Sequence, residues 1–313
     1  MMNAGVSASP AAVPARPWLT ERRRSRIAAY LFISPFFILF AVFGVYPIFF
    51  TFYLSMYKWN GLGDMKFVGL KNFELVLTDP TFWTSFFNTF LMGGMGTIPQ
   101  LILALILAVA LNSAFIRGTK FLRAVYFLPN ITSIVAVTII FSGIFANKGI
   151  ANYVVSLVGL GPYAWTVQYW PVKIAVAIMV IWRWTGYNAI IFLAGLQSIP
   201  GDLYEAARID GANRRQLFLH ITVPLLKPFI LFTTLISTIG SMQLFTEPYV
   251  FLSQGGTGST REEGVTMVIY LYSEAFKNSF FGTAAATAVI LFVFTIMFSL
   301  LNTWVSRRMG GEA

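Results

Sequence analysis

The stretch that decides the fold is Glu205-Ala206-Ala207-Arg208-Ile209-Asp210-Gly211-Ala212, a charged run of helix-forming residues inside an apolar chain. Apolar runs of about 25 residues flank it, from Val172 to Leu196 before it and from Phe229 to Leu252 after it. Runs of that length cross the hydrocarbon core of a bilayer as helices. The stretch therefore predicts a short helical segment outside the hydrocarbon, between two membrane spans.

Four more apolar runs are long enough to cross a membrane. Composition agrees, because 57% of the 313 residues are hydrophobic and only 11% are charged, against about 25% charged in soluble proteins. Backbone groups inside a bilayer must pair within their own segment, and the alternating pattern of barrel strands is absent. The chain is predicted to be an all-α polytopic membrane protein with six transmembrane helices, the other four being Ile27 to about Tyr53, Asn88 to Leu111, Ala124 to Ala146 and Phe281 to Val305.

The basic residues predict the orientation of these helices. The formal net charge is +10, and 14 of the 22 Lys and Arg residues lie on the side of the Arg-rich N-terminal stretch, with seven on the other side. Lys and Arg accumulate in cytoplasmic loops, so both termini are predicted to be cytoplasmic. No basic run alternates with aromatic residues on a soluble face, which argues against a nucleic-acid partner. With no Cys and one His, a Cys nucleophile, a disulfide or a multi-His metal site is excluded.

The predicted organisation has four parts. Residues 1–26, rich in Ala, Pro and Arg, read as a disordered cytoplasmic tail, and residues 27–83 as the first transmembrane helix with an external loop. Residues 84–305 form a membrane domain of five helices, with an elbow at about residues 198–228. Residues 306–313 are a second cytoplasmic tail.

Capping signals predict the shape of the elbow. Asp202 and Glu205 have the spacing of a capping box, and Gly211 supplies the left-handed residue that closes a first helix. Asn213 and Gln216 repeat the capping spacing for a second helix. Pro224 and Pro228 are expected to limit that second helix. An amphipathic loop resting on lipid headgroups is the alternative reading.

The elbow also resembles a known family signature. Glu205, Ala206, Ala207, Gly211, Ile221 and Pro224 stand where permease subunits of ATP-binding-cassette (ABC) importers carry Glu-Ala-Ala, a Gly four residues on, and an apolar-x-x-Pro ending. The resemblance extends through residues 193–200 and 224–228, and upstream through residues 57–59 and 67–73, which look like the first permease of the pair in the sugar-importer branch.

This resemblance implies a type I ABC importer transmembrane fold in a bacterial cell membrane, surrounded by lipid. The elbow would contact a cytoplasmic ATPase dimer through Glu205, Ala206, Ala207, Asp210, Gly211 and Pro224. A second, related permease would complete a heterodimer, and an extracytoplasmic sugar-binding protein would deliver the cargo. No phosphate-binding Gly-x-x-x-x-Gly-Lys-Ser/Thr string occurs in the chain. ATP and Mg are therefore expected on the partner, with no catalytic residue, cofactor or metal in this chain.

Polar residues inside the spans predict the substrate pathway, because such residues are costly in hydrocarbon and usually face a cavity or a partner. The candidates are Arg183, Trp184, Tyr187 and Asn188 in the fourth span and Gln243, Thr246 and Glu247 in the fifth. A structural ion pair between Arg183 and Glu247 is the alternative to ligand contact. The small residues Ser237, Gly240 and Ser241 are interpreted as helix packing.

The resulting prediction is a non-catalytic permease that translocates a di- or oligosaccharide inward. Similarity of residues 243–249 to permeases of the lactose and cellobiose type favours such a sugar. Glycerol 3-phosphate is the alternative, since Arg183 could meet a phosphate. A secondary transporter is disfavoured by the single membrane-embedded carboxylate, and an enzyme acting on lipid-linked sugars by the lack of a paired carboxylate site.

Overall fold

The computed structural model describes residues 21–112, 118–253 and 262–308, of which residues 21–50 form one unit and those from residue 51 onward a second. Helix α1 (Glu21–Phe40) continues through a π-helical turn (Ala41–Val45) into α2 (Tyr46–Leu54), whose last four residues already belong to the second unit. Residues 25–54 form the first candidate span. Residues 21–26, assigned from sequence to a disordered tail, belong to α1, while residues 1–20 of that tail lie outside the described part.

The second unit begins with a small cap of short elements. Strands β1 (Tyr57–Lys58) and β2 (Lys66–Phe67) pair antiparallel and are followed by α3 (Lys71–Thr78). The second span, α4 (Pro80–Leu111), starts eight residues before the predicted Asn88. Its start is set by Asp79, whose carboxylate accepts the Thr81 amide proton, and by Pro80, which suits the first turn of a helix.

The third span is broken. Its halves, α5 (Thr119–Ile131) and α6 (Ile134–Ile144), bend by 94° at Thr132 and Ser133. The sequence indicates a kink at Pro129 and Asn130, because proline lacks an amide proton, with a broken helix beside the substrate path as the alternative. The break instead falls after Ile131, where Thr132 adopts extended backbone geometry. The short helix α7 (Ile150–Ser156) follows.

The remaining helices complete the bundle. The fourth span is α8 (Tyr169–Gln197), and the elbow holds α9 (Gly201–Ile209) and α10 (Arg214–Leu217). A π-helical turn (Phe218–Thr222), α11 (Val223–Met242) and α12 (Thr246–Ser253) form the fifth span. A 3-10 turn (Glu262–Gly264), α13 (Met267–Tyr272) and a π-helical turn (Ser273–Lys277) lead to the sixth, α14 (Phe281–Arg308). Counting the bent pair as one, the described residues hold six candidate spans, which confirms the predicted all-α architecture.

Small residues let the spans of the second unit approach closely, as is usual in membrane bundles. A Cβ at Gly96 of α4 would lie 2.9 Å from Val180 of α8, and a Cβ at Gly186 of α8 would clash with the carbonyl oxygen of Tyr126 in α5. The core around these contacts includes the buried residues Met92, Val176, Met179 and Phe251. The second span therefore packs closely against a side chain of the fourth, and the backbones of the third and fourth spans are in direct contact.

Candidate functional site: a membrane cavity and an exposed elbow

The turn of the elbow follows its local sequence. Gly211 has a φ of +82°, and the amide of Ala212 donates to the carbonyl oxygen of Ala207 at 2.9 Å, which closes α9. Asn213 and Gln216 exchange both bonds of a capping box, at 3.0 and 2.8 Å. The predicted helix, turn and helix are confirmed here, because each depends only on neighbouring residues.

Two details of the predicted elbow are wrong. The first helix starts at Gly201 after Pro200, and Asp202 lies inside its first turn, so Asp202 and Glu205 form no capping box. Pro224 and Pro228 do not end the second helix, because a π-helical turn joins α10 to α11, and Pro224 falls in the first turn of α11. The second elbow helix is therefore continuous with the fifth span.

The residues predicted to contact an ATPase lie on an accessible surface. Glu205, Ala206, Asp210, Gly211 and Pro224 are exposed, and Ala207 is half-buried. On the body side of the elbow, the hydroxyls of Tyr204 and Thr222 are hydrogen-bonded at 2.9 Å. This bond joins α9 to the π-helical turn that leads into the fifth span. The elbow is thus tied to the bundle on one side and accessible on the other.

A cavity of about 350 Å³ lies between the second, fourth and fifth spans. It collects six of the seven residues predicted for the substrate pathway: Trp184, Tyr187, Asn188, Gln243, Thr246 and Glu247. The last three meet because the fifth span is interrupted between Met242 and Thr246, which exposes the residues of the interruption to the cavity. Irregular backbone at membrane depth is tolerated where it lines a cavity.

The cavity wall combines ring faces with hydrogen-bonding groups. The rings of Trp184 and Tyr187 are perpendicular, with centroids 5.7 Å apart. The Asn188 amide lies 3.5 Å from the Ser237 hydroxyl. Glu247 is 6% exposed, and within the described ranges it forms no ion pair.

Sequence reasoning missed the contribution of the second span. Gln100 lines the cavity and is 2% exposed, and its Oε1 atom has no hydrogen-bond partner among the described residues. The signal was available, since Thr97 and Gln100 are polar residues three apart on one helix face of an apolar run. Ser237, Gly240 and Ser241, interpreted as packing residues, also line the cavity. Ser241 does pack as well, because a Cβ at Gly93 would lie 3.0 Å from its side chain.

Arg183 does not line this cavity. Its guanidinium donates to backbone carbonyl oxygens at the break of the third span, and in the described part of the chain it makes no ion pair with Glu247. The alternative of a structural pair between these two residues is therefore not what the structure shows. The face of α8 that carries Trp184, Tyr187 and Asn188 lines the cavity, whereas the Arg183 side chain is hydrogen-bonded to the third span.

A segment comprising residues 262–277 folds back between the spans at the end of the cavity away from the elbow. Lys173, counted from sequence among the basic residues on the side opposite the N-terminal stretch, is fully buried near the start of α8, and its Nζ donates to the carbonyl oxygen of Glu263 at 2.7 Å. Thr266 donates to the carbonyl oxygen of the cavity residue Leu244 at 2.7 Å. Asn88 of the second span binds the same segment. The segment is thus held by side chains of α4 and α8 and by the interruption of the fifth span.

Comparison with known proteins agrees with this architecture. Residues 100–311 match the family described as the binding-protein-dependent transport system inner membrane component. The chain is 36% identical over 290 residues to the lactose transport system permease protein LacF of Rhizobium radiobacter, covering 92% of this chain and 96% of the relative. It is 35% identical over 305 residues to the arabinooligosaccharides transport system permease protein AraP of Bacillus subtilis (strain 168), covering 97% and 96%.

The fold is also similar to that of a solved transporter. The "crystal structure of bacterial alginate ABC transporter in complex with alginate pentasaccharide-bound periplasmic protein" contains a chain that matches with a TM-score of 0.80 at 22% identity, covering 93% of this chain and 97% of that one. Together these features define a multi-span membrane permease. The chain belongs to the family of binding-protein-dependent transport system inner membrane components. It is a non-catalytic subunit of a bacterial ABC importer, and the Glu-Ala-Ala segment of its elbow belongs to the family.

Proposed function

We propose that this protein is the permease subunit of an ATP-driven importer that translocates a di- or oligosaccharide into the cytoplasm. The observation that carries the proposal is the cavity in the membrane-spanning bundle, lined by aromatic rings and hydrogen-bonding side chains, including one carboxyl group, that of Glu247. Its volume of about 350 Å³ lies in the range of small-molecule sites, which is about 300 to 1,000 Å³. The names of the relatives support the cargo class, since they are permeases for lactose and for arabinooligosaccharides.

The chemistry of the lining suits a neutral sugar. Trp184 and Tyr187 offer ring faces to the apolar faces of a pyranose, and Asn188 and Gln243 can donate to and accept from hydroxyl groups. Glu247 adds a further side chain that can hydrogen-bond a hydroxyl group. Glycerol 3-phosphate loses its main support, because Arg183, the residue expected to meet the phosphate, is occupied at the third span.

We further propose that the exposed elbow contacts a cytoplasmic ATPase dimer, with both termini on the same side. The continuity of α10 with the fifth span supports this role, because a displacement of the elbow would pass as a rigid body to Gln243, Thr246 and Glu247 in the cavity. A second permease would supply the opposite wall of the pathway. A binding protein would deliver the sugar at the end that carries the 262–277 segment.

The cavity proposal is tested by transport. In proteoliposomes containing the complete transporter, uptake of labelled lactose and of an arabinooligosaccharide is measured for the wild type and for Tyr187→Ala. We expect kcat/KM to fall by about two- to tenfold, since one aromatic contact is worth about 0.5 to 1.5 kcal/mol. Tyr153→Ala is the matched control, because Tyr153 is 66% exposed and lies outside the cavity. Wild-type uptake by Tyr187→Ala, or a preference for glycerol 3-phosphate, would refute the assignment.

The elbow proposal needs a separate measurement. Glu205→Lys and Gly211→Pro are expected to insert normally but to abolish transport-coupled ATP hydrolysis in the assembled complex. Asp64→Lys makes the same charge change as Glu205→Lys at an exposed residue of the β1–β2 loop and should leave coupling intact. Coupled hydrolysis at the wild-type rate in both elbow variants would show that this surface does not contact the ATPase.

A further inference from the structure

The break in the third span leaves backbone groups to be satisfied at membrane depth. The last carbonyls of a helix have no partner within that helix. The Leu128 carbonyl oxygen has donors nearby in the chain, since it accepts from both the amide and the hydroxyl of Thr132 at 3.2 and 2.8 Å. The following carbonyls of α5 have no such local donor, because the chain turns away at 94°. Each unpaired group in hydrocarbon costs several kcal/mol.

Arg183 supplies the missing donors from the neighbouring helix. Its Nη1 donates to the carbonyl oxygens of Thr132 at 3.1 Å and Pro129 at 3.4 Å, and its Nη2 donates to that of Asn130 at 3.3 Å. A guanidinium is suited to this task, because it presents several donors in a planar fork and stays charged. Its positive charge also lies at the C-terminal end of α5, where the helix dipole favours a cation. One side chain thus completes the end of a broken helix.

The same contact sets the cavity wall. Ile134, the first residue of α6, lines the cavity, as does Trp184, the residue after Arg183. One turn further along α8, Gly186 lies directly against the carbonyl of Tyr126 in α5. The break in the third span is therefore held against α8 at Arg183 and at Gly186. These two contacts set the direction of α6 after the break, and with it the position of Ile134 in the cavity wall.

We infer that Arg183 is a positioning residue that fixes the bend of the third span and thereby the shape of the cavity, without contacting the cargo. This inference rests on the proposed function only for its effect on transport, since the bend itself can be measured without a substrate. It assigns Arg183 a role different from ligand contact or pairing with Glu247. Each of those roles would leave the bend unchanged when Arg183 is replaced.

The bend can be measured by spin labelling. The chain has no Cys, so Lys120→Cys, in the first turn of α5, and Lys148→Cys, four residues after α6, are its only labelling sites, and both positions are exposed. At about 1.5 Å per residue, the two halves span about 36 Å if straight and about 25 Å at the observed bend, a difference of about 10 Å. The distance between the labels is measured by electron–electron double resonance in the assembled transporter, whose other subunits are made free of cysteine.

We expect a single narrow distance for Arg183 and a broader distribution, shifted by up to about 10 Å to longer values, for Arg183→Met. Arg183→Lys keeps the charge but loses the fork and should give an intermediate distribution. Arg183→Lys also provides the test if Arg183→Met does not assemble, because an unchanged distance distribution in Arg183→Lys would overturn the inference. An unchanged distance in Arg183→Met with a raised KM for uptake would likewise overturn it in favour of ligand contact. If instead Tyr187→Ala transports normally while the distance still shifts, only the assignment of the cavity fails.

Discussion

Replacement of Asn88 by Ala tests how the 262–277 segment is held. The Asn88 Nδ2 atom donates to the carbonyl oxygens of Glu262 at 2.7 Å and Val265 at 3.0 Å, and the side chain is 1% exposed. Ala cannot donate, so Asn88→Ala leaves both carbonyls buried without this partner. Within the described ranges the Val265 carbonyl then has no donor, which costs about 1 to 3 kcal/mol. The Glu262 carbonyl still accepts from the Val265 amide at 3.3 Å and loses one hydrogen bond worth about 1 kcal/mol, so the attachment of the segment weakens by about 2 to 4 kcal/mol.

That loss has a measurable size. At about 1.4 kcal/mol per factor of ten, the detached state of the segment should become about 30- to 1,000-fold more populated. Hydrogen exchange read by mass spectrometry is the suitable assay, because local opening controls the exchange of protected amides. The amide of Met267, which donates to the Thr89 hydroxyl at 2.9 Å, should exchange faster by this factor. Peptides from α9 should not change.

The matched control for this prediction is Asn278→Ala. Asn278 makes one exposed side-chain hydrogen bond, to the Glu274 carboxylate at 2.8 Å, so its loss should alter exchange of the Met267 amide less than about threefold. Equal exchange at Met267 in the wild type and in Asn88→Ala would refute the reasoning. It would mean that Lys173 and Thr266 hold the segment without help from the second span.

Three further predictions concern stability. Gly186→Ala should destabilise the protein by about 3 kcal/mol, because its methyl group meets a backbone carbonyl of the third span; Gly94→Ala, with nothing within 4 Å, is the control in thermal unfolding. Gly211→Ala should cost about 1 kcal/mol from its left-handed backbone alone, and an unchanged melting temperature would contradict this. Burial and the nearby carboxylate of Asp79 raise the pKa of Glu274, so its contribution to stability is full below its ordinary pKa and is lost as pH rises through the raised value. Between about pH 4 and pH 8 the melting temperature should therefore fall less steeply in Glu274→Gln than in the wild type. Parallel profiles of melting temperature against pH would contradict the raised pKa of Glu274.

The elbow shows which local signals can be trusted from sequence. Gly211 and the pair of Asn213 and Gln216 behave as predicted, because a turn and a capping box need only residues within a few positions. Pro224 and Pro228 are misleading from sequence. Pro224 lies in the first turn of α11, where an amide proton is not needed for a helical hydrogen bond, and Pro228 lies inside α11, where membrane helices tolerate proline. The π-helical turn that precedes Pro224 joins α10 to α11.

The cavity shows where sequence patterns stop being sufficient. Helical periodicity placed Trp184, Tyr187 and Asn188 on one face, and the structure puts that face on the cavity. Periodicity could not show that Gln100 of α4 lines the same cavity, because a periodic pattern describes one helix at a time. For Arg183 both interpretations from sequence looked for a side-chain or ligand partner. The actual partners are backbone carbonyls, which exist as acceptors only because the third span is broken.

The sequence by itself determined the six apolar spans, the charged elbow between the fourth and fifth and the membership of the permease family. The spans and the elbow follow from hydropathy, charge and caps, and the family from the resemblance of the motif residues, all of which are properties of continuous stretches. Only the tertiary structure decided that the third span bends by 94°, that Arg183 completes its broken end and that Asn88 binds carbonyls 174 and 177 residues away. The physical reason is that each of these features satisfies a buried polar group on another element. Which elements meet is set by the packing of small residues such as Gly186, which no local pattern encodes.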